Sequence, residues 1–200
     1  MNTSAKDHAA AAGDDANAAR HRSADELEAA LAHIRESPDD SGVIRLIARR
    51  PVEDSREVLD EARISLTHGI EGDSWNQRGS SSSPDGGPHP NKQLTIMNAR
   101  AAQAIIGPIE RWPLAGDQIY ADLHLAHGSL PAGTHLAVGE AVVEVAVEPH
   151  QGCAKFAARF GRDALRFVNT GEGRELRLRG INCRVIQPGT VRVGDAVSRL

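Results

Sequence analysis

The sequence predicts a mainly β protein, a closed or nearly closed β-barrel with a few short helices. Many short segments alternate apolar and polar residues, turn signals recur about every ten residues, and helical patterns are few. The 200 residues, 40% of them hydrophobic, suffice for one well-packed core but hardly for two. Because only 3% of the residues are aromatic, we expect a core of mainly aliphatic side chains.

The segment before the barrel is predicted to contain a tail and a helix. Residues 1–22 are rich in Ala, Asp, Asn and Gly, which is typical of a disordered tail. Residues 23–41 form a helix and a linker: Ser23 and Glu26 make a capping box, apolar residues follow at helical spacing, and a proline ends the helix. We expect this helix to pack on the barrel domain, placed at residues 42–200, or on a partner.

The first half of the domain holds three predicted strands and a long loop. Strands are expected at Val43–Ala48, Arg63–Thr67 and Gln93–Met97, where apolar residues alternate or run together. Residues 74–92 are rich in Ser, Gly and Pro and are predicted to lack regular structure. Asn98 then caps a helix that stops at a Gly-Pro pair.

The second half has the clearest pattern. Thr134–Val138 and Ala141–Val147 alternate on either side of Gly139-Glu140, a pair suited to a type II′ hairpin. The segment Ala154–Val168 has aromatic and apolar residues at helical spacing, and Leu176–Ile186 alternates as a strand. The closing strand signals follow a Pro-Gly turn, at Val191–Val193 and Val197.

Charge is distributed unevenly along a chain of net charge −4. Residues 149–200 hold ten Lys/Arg against four Asp/Glu, a local charge of +6. This favours a small anionic ligand over nucleic acid, although a solvated basic face explains the charge equally well. The first thirty residues contain no signal-peptide core, and no apolar run is long enough to span a bilayer. We therefore expect a cytoplasmic protein that binds neither nucleic acid nor membranes.

Cys153 is the candidate reactive residue. It follows a strand and turn at the predicted start of a helix, with Lys155, Arg159 and Arg162 in the next turns. Free backbone amides, the helix dipole and nearby cations all favour the thiolate, which is the nucleophilic and metal-binding form. A buried structural cysteine at a strand–helix junction is the alternative, and the residues alone do not decide between them.

The second cysteine, Cys183, is predicted to be structural. It alternates with Ile181 and Val185 on one face of a strand, which is a packing position. Two cysteines in a chain of this size do not form a disulfide framework.

Several histidines have a spacing that resembles a zinc site. His124-x-x-His127, His135 and His150-x-x-Cys153 supply paired ligand sets. With nine histidines in the chain this spacing is weak evidence, and zinc is kept as an alternative.

The segment Gly69-Ile70-Glu71-Gly72-Asp73 is a glycine-marked turn that could present backbone N–H groups to an anion. Taken alone it predicts only a tight turn. The sequence contains no Walker-A loop, dinucleotide fingerprint or Gly-x-Ser-x-Gly elbow, so NTP and serine-nucleophile chemistry are not expected.

Taken in order, these segments resemble a MOSC domain, the β-barrel named for the C-terminal region of molybdenum-cofactor sulfurases. The resemblance covers roughly residues 42–197. The matching motifs are Gly69-Ile70-Glu71-Gly72-Asp73, Asp85-Gly86-Gly87-Pro88, Ala115-Gly116-Asp117, Val138-Gly139-Glu140-Ala141, the Cys153 segment running into Arg159-Phe160-Gly161, Arg179-Gly180-Ile181 and Val193-Gly194-Asp195.

The resemblance implies a link to the molybdenum cofactor. Family members transfer sulfur to this cofactor, or bind it and reduce N-hydroxylated compounds, and their key residue is one cysteine. Only Cys153 matches it here, as a persulfide carrier or as a molybdenum ligand. An anionic pterin and a redox or molybdoenzyme partner protein are thus the expected partners. The residues expected to contact the cofactor are His150, Lys155, Arg159, Arg162, Gly72 and Asp73.

This sequence also departs from the family pattern. Gly152 stands where relatives often have proline, which predicts a more mobile loop before Cys153. No aminotransferase-like domain with its lysine is present, so pyridoxal phosphate, a coenzyme often associated with the family, is not expected. A module that binds or delivers the cofactor without chemistry, and a zinc-stabilised structural domain, remain the competing functions.

Overall fold

The computed structural model describes residues 20–79, 83 and 85–200, and within these ranges most strands form one sheet that closes on itself. The strands are Ser41–Arg49 (β1), Glu57–Leu59 (β2), Glu61–Ser65 (β3), Gly69–Ile70 (β4), Leu94–Asn98 (β5), Ile119–Asp122 (β6), His135–Val138 (β7), Ala141–Pro149 (β8), Ile181–Gln187 (β9), Gly189–Arg192 (β10) and Ala196–Arg199 (β11).

Closure of the barrel depends on β11. The order around the ring is β11-β7-β8-β9-β5-β6-β1, and β1 pairs again with β11, with Ser41 opposite Ser198. Only β5 and β6 are parallel, so the barrel is mixed. β2 pairs antiparallel with the last residues of β1. β10, β3 and β4 form a small second sheet. The predicted closed, mainly β barrel is confirmed.

The barrel interior is aliphatic, as the low aromatic content predicts. Its buried cluster contains Ile, Leu, Val and Ala side chains together with Cys183. The aromatic residues other than Trp75 lie in a second cluster between strands and helices, where Phe156 packs edge-on against Phe160 and Trp112 lies beside Tyr120. This second cluster therefore fixes the helices that carry the site.

Six short α-helices surround the barrel in the described ranges: Ala24–Ala29 (α1), Leu31–Arg35 (α2), Ala99–Ile106 (α3), Ala154–Phe160 (α4), Arg162–Asn169 (α5) and Gly171–Glu175 (α6). The capping box of Ser23 and Glu26 is present, and Asn98 caps α3 by accepting a hydrogen bond from the Ala101 amide. Leu27 is buried, so the N-terminal helices pack on the domain. The predicted tail lies outside the described residues as far as residue 19.

Four local predictions are corrected by the structure. The segment predicted as the helix Ala154–Val168 is two helices, because Gly161 has a φ of 95°, outside the helical region. The single N-terminal helix is likewise two segments, α1 and α2. The strand predicted from Leu176 begins only at Ile181. The loop predicted over residues 74–92 contains two short 3₁₀ helices, Ser74–Gln77 and Pro90–Lys92.

A third 3₁₀ helix, Ile109–Ala115, accepts hydrogen bonds from three arginines discussed below, one of them on α4. In the part of the chain that the structure describes, no helix is long and apolar enough to cross a membrane.

Candidate functional site

Cys153 lies in the connection between β8 and α4. Strand β8 ends at Pro149 and α4 begins at Ala154, so Cys153 occupies the N-cap position of α4. Its backbone is extended, with φ −119° and ψ −177°, and its side chain makes no capping hydrogen bond. The thiol is exposed and is not in a disulfide. Solvent and reagents therefore reach the sulfur.

Asn169 fixes the residue before Cys153. The Gly152 amide donates to Oδ1 of Asn169 at 2.8 Å, and Nδ2 of Asn169 donates to the Gly152 carbonyl at 3.0 Å. A Cβ at position 152 would lie 2.9 Å from Cδ1 of Leu165, so a larger residue there would require the Leu165 side chain on α5 to shift. Both backbone polar groups of Gly152 are thus bonded to α5, while the mobility expected for this loop stays a prediction.

Two of the predicted basic residues are paired with one acidic loop. Lys155 lies 3.0 Å from Glu53 and 3.6 Å from Asp54, and these carboxylates raise the pKa of the lysine. Arg159 contacts Asp54 at 3.3 Å and donates to the carbonyl of Leu114 at 2.7 Å. Arg162 is exposed, and its side chain has no hydrogen bond or ion pair with the described residues. The structure thus joins Lys155 and Arg159 to one cluster but does not add Arg162.

His150 is held beside a buried ion pair. Its Nδ1 lies 3.3 Å from Oδ1 of Asp117, while the other oxygen of Asp117 accepts a hydrogen bond from Arg179. Arg179 also donates to the carbonyl of Ala115 at 2.8 Å, and its guanidinium lies 5.2 Å from the centre of the Phe156 ring. This links α4 to the end of the third 3₁₀ helix.

Burial and the positive charges around His150 keep its ring neutral. Burial, followed by the positive charges of Arg179, Arg50 and Lys92, holds the pKa of His150 well below its ordinary value of 6.5. Nδ1 of His150 and Oδ1 of Asp117 are both buried, and neither has a hydrogen-bond partner of regular geometry among the described residues. A proton on Nδ1 turned towards Asp117 is the arrangement that leaves neither atom unsatisfied.

Asp73 binds the side chains of Arg50 and Arg78. Its fully buried carboxylate accepts from Nε of Arg50 at 2.9 Å, from Nη2 of Arg50 at 3.1 Å, from the Trp75 amide at 2.9 Å and from Arg78 at 3.3 Å. Gly72 has a φ of 82°, and a Cβ there would lie 2.6 Å from a nitrogen of Arg49. The predicted Gly72-Asp73 turn therefore shapes an arginine cluster, and its direct contact with a cofactor stays a prediction.

Arg50, Arg56 and Arg78 form a positively charged cluster near α4. Burial lowers the pKa of both Arg56 and Arg78, and repulsion adds to this, from Arg159 and Arg50 on Arg56 and from Arg50 on Arg78. Arg56 donates to the carbonyl of Pro113 at 3.1 Å, one residue from the carbonyl that Arg159 uses. These arginines repel one another and are fixed by hydrogen bonds, so an anion that binds between them would reduce the repulsion.

A cavity of about 190 Å³ opens beside this cluster. Its walls are Trp75, Arg78, Gly79, His89 and Lys92. Two cations and an indole ring around one space suit a group that is both anionic and planar.

The histidines of the possible zinc site are separated. His124 contacts Ser129, His127 contacts Arg177 and His135 contacts Glu144, whereas His150 faces Asp117. Among the residues that the structure describes, no group of three or more His, Cys, Asp or Glu is placed to hold a metal ion. The described part of the chain therefore offers no zinc site.

Cys183 has the environment expected of a packing residue. It is 0% exposed inside the barrel, and burial raises the pKa of its thiol well above the usual range.

Comparison with known proteins identifies the fold family. The family model of the MOSC domain matches residues 60–198. The chain belongs to the MOSC domain family. The matched range includes Cys153, Asp117 and Arg179, whereas Arg50 and Arg56 lie before it. No curated protein matches the chain.

Two solved structures resemble this MOSC protein. The YuaD protein from Bacillus subtilis is 17% identical, with a TM-score of 0.54, covering 78% of this chain and 94% of YuaD. YiiM from Escherichia coli is 18% identical, with a TM-score of 0.52, covering 79% of this chain and 69% of YiiM. At these identities the likeness shows the fold alone.

Sequence reasoning singled out Cys153, whose role stays a prediction, but it did not single out the arginine cluster or Asn169. Arg50, Arg56, Arg78 and Asn169 come from segments distant in sequence, and no local pattern marks them. Asp117 had one available signal, because it ends the Ala115-Gly116-Asp117 motif of the family resemblance.

Proposed function

We propose that this MOSC protein binds the molybdenum cofactor through Cys153, or carries sulfur for it on that residue. The observation that carries the proposal is one exposed thiol at the start of α4, a helix whose Arg159 interacts with the partly buried Arg56 of the arginine cluster. The family is associated with the molybdenum cofactor, and its pterin bears a phosphate.

The residues present fit such a group. Cys153 offers a soft sulfur ligand, and Arg78 with Lys92 offers cations at the cavity that Trp75 also lines. Arg56 and Arg78 have pKa values lowered by burial and by neighbouring arginines, so an anion there would relieve repulsion that Asp73 and Asp54 offset only in part. Arg78 and Arg159 would hold the phosphate, and Cys153 the metal.

The other residues have supporting tasks. Asp73 aims Arg50 and Arg78, Asn169 fixes Gly152, and Asp117 holds His150 as a neutral ring next to the Cys153 segment. The bound cofactor would supply two-electron redox chemistry of the kind that reduces N-hydroxylated compounds. A redox protein or a molybdoenzyme would be the partner.

Metal and pterin analysis tests this proposal. The protein is purified from cells that make the cofactor, and molybdenum and pterin are measured in the wild type, Cys153→Ser and Cys183→Ser. We expect both in the wild type and in Cys183→Ser, and loss of molybdenum in Cys153→Ser, because an alcohol is a poor ligand for a soft site. Arg78→Ala should lose pterin.

Wild-type protein that carries neither molybdenum nor pterin, and that acquires no persulfide on Cys153 from a sulfur donor, contradicts the proposal. Stoichiometric zinc would favour the structural alternative. Where the cofactor is bound, an assay with an N-hydroxylated compound and an external electron donor separates a reductase from a module that only carries the cofactor.

A further inference from the structure

A second cavity, of about 220 Å³, is lined by the segment that leads to Cys153. Pro149, His150 and Gln151 form one part of its lining, and Arg174 and Arg177 form another. Cys153 and the arginine cluster do not line it. Cavities for drug-sized ligands measure about 300–1,000 Å³, so this one suits a smaller molecule.

Arg177 is fixed at the cavity by several contacts. Its Nη1 donates to the Leu130 carbonyl at 2.5 Å, and its Nη2 donates to Nδ1 of His127 at 2.8 Å. Its backbone is left-handed, with a φ of 51°, which is uncommon for a residue with a long side chain. Burial and the charge of Arg177 lower the pKa of His127, so this neighbour is neutral. The guanidinium is therefore held in position without a carboxylate partner among the described residues.

Arg174 adds a second positive charge. Its side chain is exposed and makes no hydrogen bond or ion pair with the described residues. The one carboxylate in the lining belongs to Glu148, and both its oxygens accept from Asn91 at 3.0 Å, with His89 at 3.6 Å. The two arginines are thus not neutralised from within the cavity.

Apolar surface lies beside these charges. Val168 and Ile181, both buried, line the cavity together with Val147, whose 74% exposure is high for a valine. A ligand seated here would cover apolar surface as well as meet a cation. Inorganic anions have no apolar body with which to use this surface.

His150 supplies a polar contact of defined direction. Because its Nδ1 is turned to Asp117, Nε2 is left as the acceptor, and Nε2 has no hydrogen-bond partner among the described residues and is not among their buried unpartnered atoms. A neutral histidine with Nδ1 protonated accepts a hydrogen bond at Nε2.

We propose that this cavity binds a small organic carboxylate that carries a hydroxyl or amino group. Arg174 and Arg177 bind the carboxylate, the valine and isoleucine side chains contact its apolar body, and Nε2 of His150 accepts from its hydroxyl or amino group. The ligand would lie against the backbone that continues into Cys153, as a substrate of that residue would. This inference goes beyond cofactor binding and does not depend on it.

Calorimetric titration with 4-hydroxybenzoate tests the assignment, using the protein as purified and with its molybdenum content measured. We expect saturable binding, weaker binding of benzoate, and a dissociation constant raised roughly tenfold by Arg174→Ala, the effect of one charge-assisted hydrogen bond. Arg63→Ala is the matched control, because Arg63 is an exposed arginine paired with Glu71 away from the cavity. It should leave binding unchanged.

The assignment is overturned if 4-hydroxybenzoate shows no saturation, or if Arg63→Ala weakens binding as much as Arg174→Ala does. It is also overturned if inorganic phosphate competes equally well, because the apolar contacts would then contribute nothing. None of these outcomes bears on molybdenum or pterin content, so failure here is distinguishable from failure of the proposed function.

Discussion

The side-chain amide of Asn169 bonds both backbone polar groups of Gly152, its oxygen taking the amide hydrogen at 2.8 Å and its nitrogen donating to the carbonyl at 3.0 Å. Asn169 is the last residue of α5, and Gly152 precedes Cys153. The position of the Cys153 segment is therefore set by a helix that follows it in sequence.

We expect Asn169→Ala to loosen the Cys153 segment. The change removes two hydrogen bonds and leaves partly buried backbone groups unpaired, which costs about 1–3 kcal/mol of the free energy of unfolding. The rate of Cys153 alkylation by iodoacetamide should fall, because the thiol loses its fixed place at the start of α4. Asn182→Ala is the control: its Nδ2 donates to the Glu148 carbonyl, and its loss should cost stability without changing the alkylation rate. Equal rates in all three proteins would refute the positioning role of Asn169.

The two cysteines should differ in reactivity and in their effect on stability at high pH. Cys153 should be alkylated in the folded protein, and Cys183 only after unfolding, because Cys183 is fully buried.

Since burial raises the pKa of Cys183 above its unfolded value of about 9.0, its thiol stays protonated in the fold while the unfolded chain ionises. Stability is therefore intact below that pH and is lost as pH rises above it, by up to about 1.4 kcal/mol per pH unit. Chemical denaturation should be measured between pH 8 and pH 10, roughly one unit on either side of the unfolded pKa. The free energy of unfolding should fall less steeply with pH in Cys183→Ala than in the wild type. Parallel curves would contradict this effect.

His150 should make the free energy of unfolding fall as pH decreases into the mildly acidic range, opposite to the effect of Cys183. Its pKa is depressed by burial and by Arg179, so below the ordinary value of 6.5 the unfolded chain gains a proton that the folded protein does not. The stability contribution is present above pH 6.5 and is lost as pH falls, by up to about 1.4 kcal/mol per unit. His150→Gln should flatten this slope between pH 6.5 and about 5, as measured by urea unfolding, whereas the exposed His135→Gln should keep it. A wild-type slope in His150→Gln would show that another group causes it.

Asp73→Asn should be strongly destabilising. The carboxylate of Asp73 is fully buried, and its loss leaves the mostly buried Arg50 without its counter-charge, which costs about 3–5 kcal/mol. The exposed pair of Glu71 and Arg63 provides the comparison, since Glu71→Gln should cost less than about 1 kcal/mol. Chemical denaturation of the two variants measures both. If both variants lose a similarly small amount of unfolding free energy, then water reaches Arg50 and the ion pair is not buried.

Local patterns predicted the barrel well because its strands alternate regularly. Ile181, Cys183 and Val185 lie inside as predicted, and the hairpin at Gly139 has the positive φ of 57° that its turn requires. The break at Gly161 was missed because helical spacing of apolar residues continues across it, and periodicity does not record a backbone angle. Asn98 was found because a cap bonds the chain only three residues away.

The site was harder to predict for the same physical reason. Arg50 reaches Asp73 across 23 residues and Arg179 reaches Asp117 across 62, and such pairs form only when segments distant in sequence are brought together by folding. A basic C-terminal charge indicated an anion site, but Arg50 and Arg78 lie outside that region. Only the folded chain shows which cations are brought together.

Strand β11 has a further consequence for how the protein is made. It follows all the other described strands along the chain, yet it fills the gap between β7 and the first residues of β1. Until it arrives, two strand edges remain open, and open edges recruit strands from other molecules. We therefore expect translation that halts before Ala196 to yield an aggregating sheet, so pairing of β11 protects each newly made molecule from its neighbours.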